Sequence, residues 1–155
     1  MSRNDQRELL KAKTYVYRLL NIRLRSEHEI HDKLAKRGFS SDLINQAVFY
    51  FKDVGLIDDH IFAQKWIESR LKKPYGAGRI KLELRKKGIH DSIIQDELRQ
   101  ATEELSEEDI VFQLAVQRMA KYQTLDETKA KQRIYGYLSR RGFSGQAIYK
   151  TLKKL

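Results

Sequence analysis

The chain has 155 residues, with 31 lysines and arginines against 21 aspartates and glutamates, one proline and no cysteine. The length allows one compact domain or a short array of small units, and the lack of cysteine excludes disulfides, thiol nucleophiles and cysteine-ligated metal sites. Eight glycines and one proline are too few turn formers for an all-β protein, and the net charge of +10 favours a polyanionic or acidic partner.

Hydropathy along the chain predicts a soluble protein of the cytoplasm. The first ten residues contain no apolar stretch typical of a secretory signal. No segment approaches the roughly 18 consecutive apolar residues that a membrane span needs.

A short pattern recurs three times in chain order. Each copy has an isoleucine, a leucine four residues later, a glycine after four more, and aliphatic residues six and ten positions beyond the glycine. The glycines are Gly38, Gly88 and Gly142, spaced 50 and then 54 residues apart. Because residues four apart share a helix face and glycine ends helices in the left-handed conformation, each copy predicts a helix, a tight turn and a second helix.

An additional helix is predicted before each pair, at about residues 5–23, 58–71 and 106–121. The predicted fold is therefore all-α, with three tandem three-helix repeats that resemble helix-turn-helix units and form an elongated, curved array. We expect the repeats at residues 5–54, 58–101 and 106–155.

Several residues mark the predicted helix boundaries and the core. Ser26 and Glu29 fit a capping box, and three further helices have the N-cap candidates Ser40, Ser144 and either His90 or Asp91. Lys73 to Gly78 contains the only proline and is predicted to be a loop. Three aromatic residues are assigned to the core, namely Phe62, Trp66 and Phe112.

Positive charge is concentrated in particular segments. The net charge is +4 through residue 57, +1 from 58 to 105 and +5 from 106 onward. In the middle repeat, four cations lie on the helix face opposite Ile80 and Leu84, which favours a binding surface: Arg79, Lys81, Arg85 and Lys86. Cations that precede the glycine turns are explained equally well by the negative end of the helix dipole. These are Lys36, Arg37, Lys87 and Arg141.

The helix after each glycine turn would enter the DNA major groove in a helix-turn-helix protein. In the second repeat this helix carries Asp91, Asp96 and Glu97, with Arg99 as its one cation. These carboxylates would repel the phosphates on both sides of the groove, so sequence-specific reading is not expected. The third repeat, with lysines near its end, could contact phosphates.

Signals for catalysis or metal binding are weak. His28, His31 and Asp32 share a helix face but lack the zinc-protease spacing. Asp58 and Asp59 stand alone as an acidic pair, and Asp58 also suits a helix N-cap. Gly76-Ala77-Gly78 lacks the Gly-Lys-Ser/Thr of a phosphate loop. We therefore expect no enzyme activity, no metal and no cofactor.

The ordered set of motifs resembles the RecX family of bacterial regulatory proteins, from about Ala12 to Leu152. The motifs are Arg25-Ser26 with Glu29, Lys33 and Leu34; Gly55-Leu56-Ile57-Asp58-Asp59 with Phe62, Ala63, Trp66 and Arg70; Gly78-Arg79-Ile80, Glu83-Leu84 and Lys87-Gly88-Ile89; and Leu138 with Arg140-Arg141-Gly142-Phe143-Ser144. The resemblance implies a cytoplasmic monomer that binds the RecA recombinase filament on single-stranded DNA. It also implies restraint of filament growth, ATP hydrolysis, strand exchange and LexA cleavage.

The candidate contacts to the RecA filament or to single- and double-stranded DNA are cations of the basic faces and turns. They are Lys36, Arg37, Arg70, Arg79, Lys81, Arg85, Lys86, Lys87, Arg133, Arg140 and Arg141. A non-specific nucleic-acid-binding helical protein without recombinase regulation is the alternative. Gly136 departs from a good helix sequence and weakens its helix by up to about 1 kcal/mol relative to alanine.

Overall fold

The computed structural model describes all 155 residues and consists of nine helices without strands. The helices are α1 (Arg3–Ile22), α2 (Glu27–Lys36), α3 (Ser41–Asp53), α4 (Asp59–Leu71), α5 (Ala77–Lys86), α6 (Asp91–Thr102), α7 (Glu107–Lys121), α8 (Glu127–Arg140) and α9 (Gly145–Lys154). The all-α fold and its three tandem three-helix repeats are confirmed. None of the helices combines the length and the apolar character needed to cross a membrane.

Short polar side chains define where the helices begin. Ser26 caps α2 in a capping box with Glu29, as predicted. Asp58 caps α4, since its Oδ1 accepts from the backbone N–H groups of His60 and Ile61 at 2.9 and 3.2 Å. Side-chain caps are also present on α1, α3, α7, α8 and α9, from Ser2, Ser40, Ser106, Asp126 and Ser144.

The three predicted glycine turns are formed by residues with positive φ. The φ angles are 85° at Gly38, 76° at Gly88 and 89° at Gly142. A residue with a Cβ adopts this left-handed conformation at a cost of roughly 1–2 kcal/mol. Glycine therefore ends α2, α5 and α8 and lets the following helix begin within a few residues.

By its internal contacts the chain divides into two compact units. The first unit comprises Met1–Ala63 and Arg85–Ile93, and the second comprises Gln64–Leu84 and Ile94–Leu155. Residues 58–101 are thus shared between the two units, and the repeat boundaries proposed from the sequence stay a prediction.

The recurring aliphatic positions form the cores of these units. In each repeat, the isoleucine and leucine before the glycine and the isoleucine six residues after it are at most 2% exposed. These nine residues are Ile30, Leu34, Ile44, Ile80, Leu84, Ile94, Ile134, Leu138 and Ile148. Phe62 is buried as predicted, whereas Phe112 is 39% exposed and its assignment to the core is wrong. The buried face of α7 is formed by Val111 and Ala115, and Phe112 lies about 100° round the helix from Val111.

Candidate functional site

Three arginines surround the ring of Tyr75 in the second unit. The guanidinium carbons of Arg79, Arg141 and Arg70 lie 4.0, 5.0 and 5.9 Å from the ring centroid. These residues come from the start of α5, the end of α8 and the end of α4. Cations over an aromatic face are attracted by its quadrupole by about 0.5–1 kcal/mol at exposed sites. We call Tyr75, these arginines and the neighbouring Glu83 and Trp66 the Tyr75 cluster.

Glu83 is the carboxylate that fixes this cluster. It accepts from Trp66 Nε1 at 2.9 Å, from Arg70 Nε at 2.7 Å and from Arg79 Nε at 3.3 Å. Burial raises the pKa of Glu83, but the hydrogen bonds from Trp66, Arg70 and Arg79 outweigh it, and the pKa lies below its usual value. Trp66 is therefore half-buried and donates a hydrogen bond in this network, so its assignment to the apolar core is wrong.

Arginines and tyrosines continue along the second unit beyond the Tyr75 cluster. Arg141 also lies 5.2 Å from the ring centroid of Tyr137, and Arg118 lies 3.9 Å from it. Arg133 is 5.8 Å from the ring centroid of Tyr122. Such guanidinium groups, held in place by aromatic rings, can pair with carboxylates or phosphates and can stack on bases.

A backbone joint brings Tyr75 next to Arg141. The N–H of Gly76 donates to the carbonyl of Arg141 at 2.7 Å, and that of Gly78 donates to the carbonyl of Gly142 at 3.0 Å. A Cβ on Gly76 would lie 2.5 Å from the carbonyl atoms of Gly142. The glycines of this loop are therefore required because two backbones touch there.

A related joint holds Lys87 in the first unit. Ser26 Oγ donates to the Lys87 carbonyl at 2.6 Å, and Lys87 Nζ forms an ion pair with Glu29 at 3.0 Å. Arg23 also contacts Glu29, at 2.7 Å. Lys87 thus has an internal structural partner.

The Glu29 network predicts an acid-sensitive contribution to stability. Burial raises the pKa of Glu29, but hydrogen bonds from Arg23, Lys87 and the Ser26 backbone lower it from 4.5 to about 2. Because the folded pKa lies below the unfolded one, the stabilisation is present above pH 4.5 and is lost as the pH falls towards 2. About 2 kcal/mol should disappear between pH 6 and pH 3.

Urea unfolding of the wild type and of Glu29→Gln checks this contribution. The wild type should be more stable than the variant at pH 6, and the difference should shrink by about 2 kcal/mol at pH 3. A difference that stays constant between these pH values would contradict the assignment.

The other candidate cations differ in whether an acidic side chain neutralises them. Lys36 pairs with Asp32 at 2.9 Å and Arg85 with Asp91 at 2.8 Å, both in exposed positions. Carboxylate partners are thus found for five of the eleven candidates, namely Lys36, Arg70, Arg79, Arg85 and Lys87. No ion pair forms at the remaining six, which are Arg37, Lys81, Lys86, Arg133, Arg140 and Arg141.

The basic helix face expected opposite Ile80 and Leu84 is therefore divided. Arg79 is half-buried in the Tyr75 cluster, and Lys81 is half-buried beside a cavity of about 480 Å³ in the second unit. Lys86 is exposed at the end of α5. Only part of that face is available to a partner in the way that the periodicity predicted.

Sequence reasoning missed Tyr75 and Glu83, the central residues of the Tyr75 cluster, and also Arg118 beside Tyr137. One signal was present for Glu83, since it is the only acid between Arg70 and Gly88. A second was present at the start of α5, because Gly76 directly precedes this helix and Gly78 lies in its first turn, with one residue between them. Both signals indicate local contacts, but neither identifies Arg141 as the distant partner.

The acidic residues weighed as a metal site have structural partners. Asp58 caps α4, and Asp59 Oδ1 accepts from the backbone N–H of Glu27 at 2.9 Å. Burial raises the pKa of Asp59. No group of three or more histidine, aspartate and glutamate side chains is placed to hold a metal ion.

The chain consists of tandem three-helix repeats, each with a glycine turn before its last helix, and it carries arginines and tyrosines on its surface. These features define a helical-repeat protein with a cationic surface. Three domain models match it in order. They are the first (residues 12–50), second (58–98) and third (106–152) three-helix domains of RecX. The chain belongs to the RecX family of regulatory proteins.

Individual relatives and solved structures agree with this assignment. Regulatory protein RecX of Pelodictyon phaeoclathratiforme is 33% identical over 93% of this chain and 88% of its own length. The RecX of Mycolicibacterium smegmatis is 33% identical over 89% of this chain and 76% of its own. The crystal structure of RecX from Lactobacillus salivarius covers 97% of both chains with a TM-score of 0.86 and 26% identity.

Proposed function

We propose that this protein binds the RecA recombinase filament on DNA and restrains its assembly, ATP hydrolysis, strand exchange and coprotease activity. It would act in the cytoplasm as a monomer and without catalysis of its own. The observation that carries this proposal is the ordered match to all three RecX domains. The name of the relatives, regulatory protein RecX, supports a regulatory role.

The distribution of charge supports a contact with a polyanionic assembly. The six candidates without a carboxylate partner come from α5 and α8 and from the ends of α2 and α8. Arg141 and Arg133 are near tyrosine rings, which limits the conformational freedom lost when their guanidinium groups bind a partner. Lys81, Lys86 and Arg140 can instead be changed without breaking an ion pair of the fold.

Reversing these three charges tests the proposal. The triple variant Lys81→Glu, Lys86→Glu and Arg140→Glu should require at least about tenfold more protein to inhibit the DNA-dependent ATPase of RecA. Arg79 and Arg85 are left unchanged because Glu83 and Asp91 hold them. The measurement is RecA ATPase inhibition by titration, with circular dichroism to check the helical fold.

A charge-matched control separates a local contact from loss of net charge. Lys65, Arg99 and Lys121 are exposed cations outside the candidate set. Their triple replacement by glutamate lowers the net charge by the same amount and should leave inhibition within about twofold. Equal inhibition by the candidate triple and the wild type would contradict the proposed surface, and a wild type without effect on RecA would contradict the proposed function.

Non-specific nucleic-acid binding is the second candidate, favoured by the tyrosines and arginines in contact along the second unit. It predicts tight binding to DNA alone that weakens steeply with salt. It also predicts that the protein has no effect on RecA beyond that of any other protein bound to the same amount of DNA. Fluorescence anisotropy with labelled single-stranded DNA at several salt concentrations, beside the ATPase titration, distinguishes the two candidates.

A further inference from the structure

The three glycine turns have similar backbone conformations but different surroundings. A Cβ on Gly88 would overlap the side chain of His28, and one on Gly142 would overlap the backbone of Arg79. At Gly38, nothing lies within 4 Å of the corresponding position. Two turns are therefore covered by another segment of the chain, while the turn of the first repeat is open.

Both covered turns receive the start of a helix. At Lys87 the segment is the N-cap of α2. The Ser26 hydroxyl donates to the Lys87 carbonyl, and Glu29 forms an ion pair with the Lys87 ammonium group. At Arg141 the segment is the one just before α5, where the Gly76 N–H donates to the Arg141 carbonyl. In each case a hydrogen-bond donor of the helix start satisfies a carbonyl oxygen of the turn. The same position in the repeat thus acts twice as a receptor for a helix N-terminus.

The open turn offers the same groups without a hydrogen-bond donor on its carbonyls and without an ion pair. No donor of the chain reaches the carbonyl oxygens of Arg37 and Gly38. Arg37 forms no ion pair, and its guanidinium lies 4.1 Å from the ring centroid of Tyr15. Arg18 of α1, which lines the cavity beside the turn, also forms no ion pair. A cavity of about 540 Å³ adjoins the turn, lined by α1 and by Arg37, Gly38 and Phe39.

The chemistry of this surface favours a protein segment over a phosphate. Carbonyl oxygens at the end of α2 carry the negative end of the helix dipole and need hydrogen-bond donors. A phosphodiester of DNA has only acceptor oxygens at neutral pH and would be repelled by these carbonyl oxygens. A helix N-terminus supplies free N–H donors, and an acidic residue in its first turn would pair with Arg37 as Glu29 pairs with Lys87.

We infer that the Arg37–Phe39 turn binds the first turn of a helix of a partner protein, with a small residue at its N-cap and a carboxylate two or three positions later. This inference rests on the proposed function, which places that helix on the RecA filament. A second copy of this chain is the competing occupant. Its α1 begins with Ser2 at the N-cap and Asp5 three positions later, the same pattern as Ser26 and Glu29 in α2, whereas Lys129 in the first turn of α8 would repel Arg37.

A peptide from the chain itself tests the receptor directly. The probe is a helix-stapled peptide of residues 26–36, with Glu29→Lys in the same peptide as the control. The first peptide should bind with a dissociation constant on the order of 1 mM and shift the amide resonances of Gly38 and Phe39. Binding should be lost with the control peptide and with the Arg37→Glu protein. Absence of these shifts with the first peptide would overturn the inference.

Preformed RecA filaments on single-stranded DNA are the second probe. In co-sedimentation, Arg37→Glu should bind at least about tenfold more weakly than the control Lys33→Glu, an exposed cation of the same helix. On bare DNA the two variants should bind alike. Equal filament binding by both would overturn this contact while leaving the proposed function intact.

Two further outcomes are distinguishable from these. Peptide binding by a wild type that does not bind filaments would support the receptor and contradict the proposed function. Sedimentation equilibrium tests the remaining occupant, because self-association abolished by Arg37→Glu would assign the turn to a second copy and overturn the inferred partner.

Discussion

Replacing Gly142 with alanine should destabilise the protein by about 4 kcal/mol. The positive φ of 89° accounts for roughly 1–2 kcal/mol of this. The rest arises because the new methyl group would overlap the backbone of Arg79, and overpacking costs typically about 1–3 kcal/mol. The turn cannot move away easily, since its carbonyls accept the N–H groups of Gly76 and Gly78.

Gly38→Ala is the matched control for this variant. Its φ is 85°, almost the same as that of Gly142, but its surroundings are empty within 4 Å. The loss of stability should therefore be about 1 kcal/mol, from backbone conformation alone. Urea unfolding followed by circular dichroism measures both variants, and equal losses would contradict the close contact described at Gly142.

Replacing Glu83 with leucine should cost about 3 kcal/mol, because a partly buried carboxylate with three donors is removed. Trp66, Arg70 and Arg79 would each lose a hydrogen-bond acceptor. Trp66 is the only tryptophan, so its fluorescence should also change under native conditions. Urea unfolding gives the stability change, and the emission spectrum reports the local change.

Glu68→Gln is the control for the loss of a carboxylate. Glu68 pairs with Lys65 and Lys72 at 3.6 and 3.7 Å and is 57% exposed. Exposed ion pairs contribute little, and this variant should stay within about 0.5 kcal/mol of the wild type. A loss below about 1 kcal/mol for Glu83→Leu, with unchanged tryptophan emission, would contradict the role given to Glu83.

The sequence predicted the local architecture well because the signals for it are local. Ile30 and Leu34 lie on one helix face by their spacing alone, and Ser26 with Glu29 defines a helix start within four residues. The glycine turns follow from the same short-range chemistry. Phe112 was placed wrongly because α7 has several apolar residues, and periodicity alone did not select the face that Val111 and Ala115 bury.

The candidate site depended on contacts between distant segments, which the sequence did not reveal. Arg79 lies on the helix face expected from its spacing, but Glu83 and Tyr75 hold it in place. Arg141 reaches Tyr75 only because the loop before α5 meets the turn after α8. No periodicity along one helix contains that information.

The backbone joint between Gly76 and Gly78 on one side and Arg141 and Gly142 on the other does not depend on the side chains around it. Its hydrogen bonds involve only main-chain atoms, so they require glycines but no particular neighbouring side chain. Tyr75 and Arg141 lie directly beside these glycines. Substitutions at these two positions would therefore change the Tyr75 cluster and leave the main-chain hydrogen bonds of the joint in place.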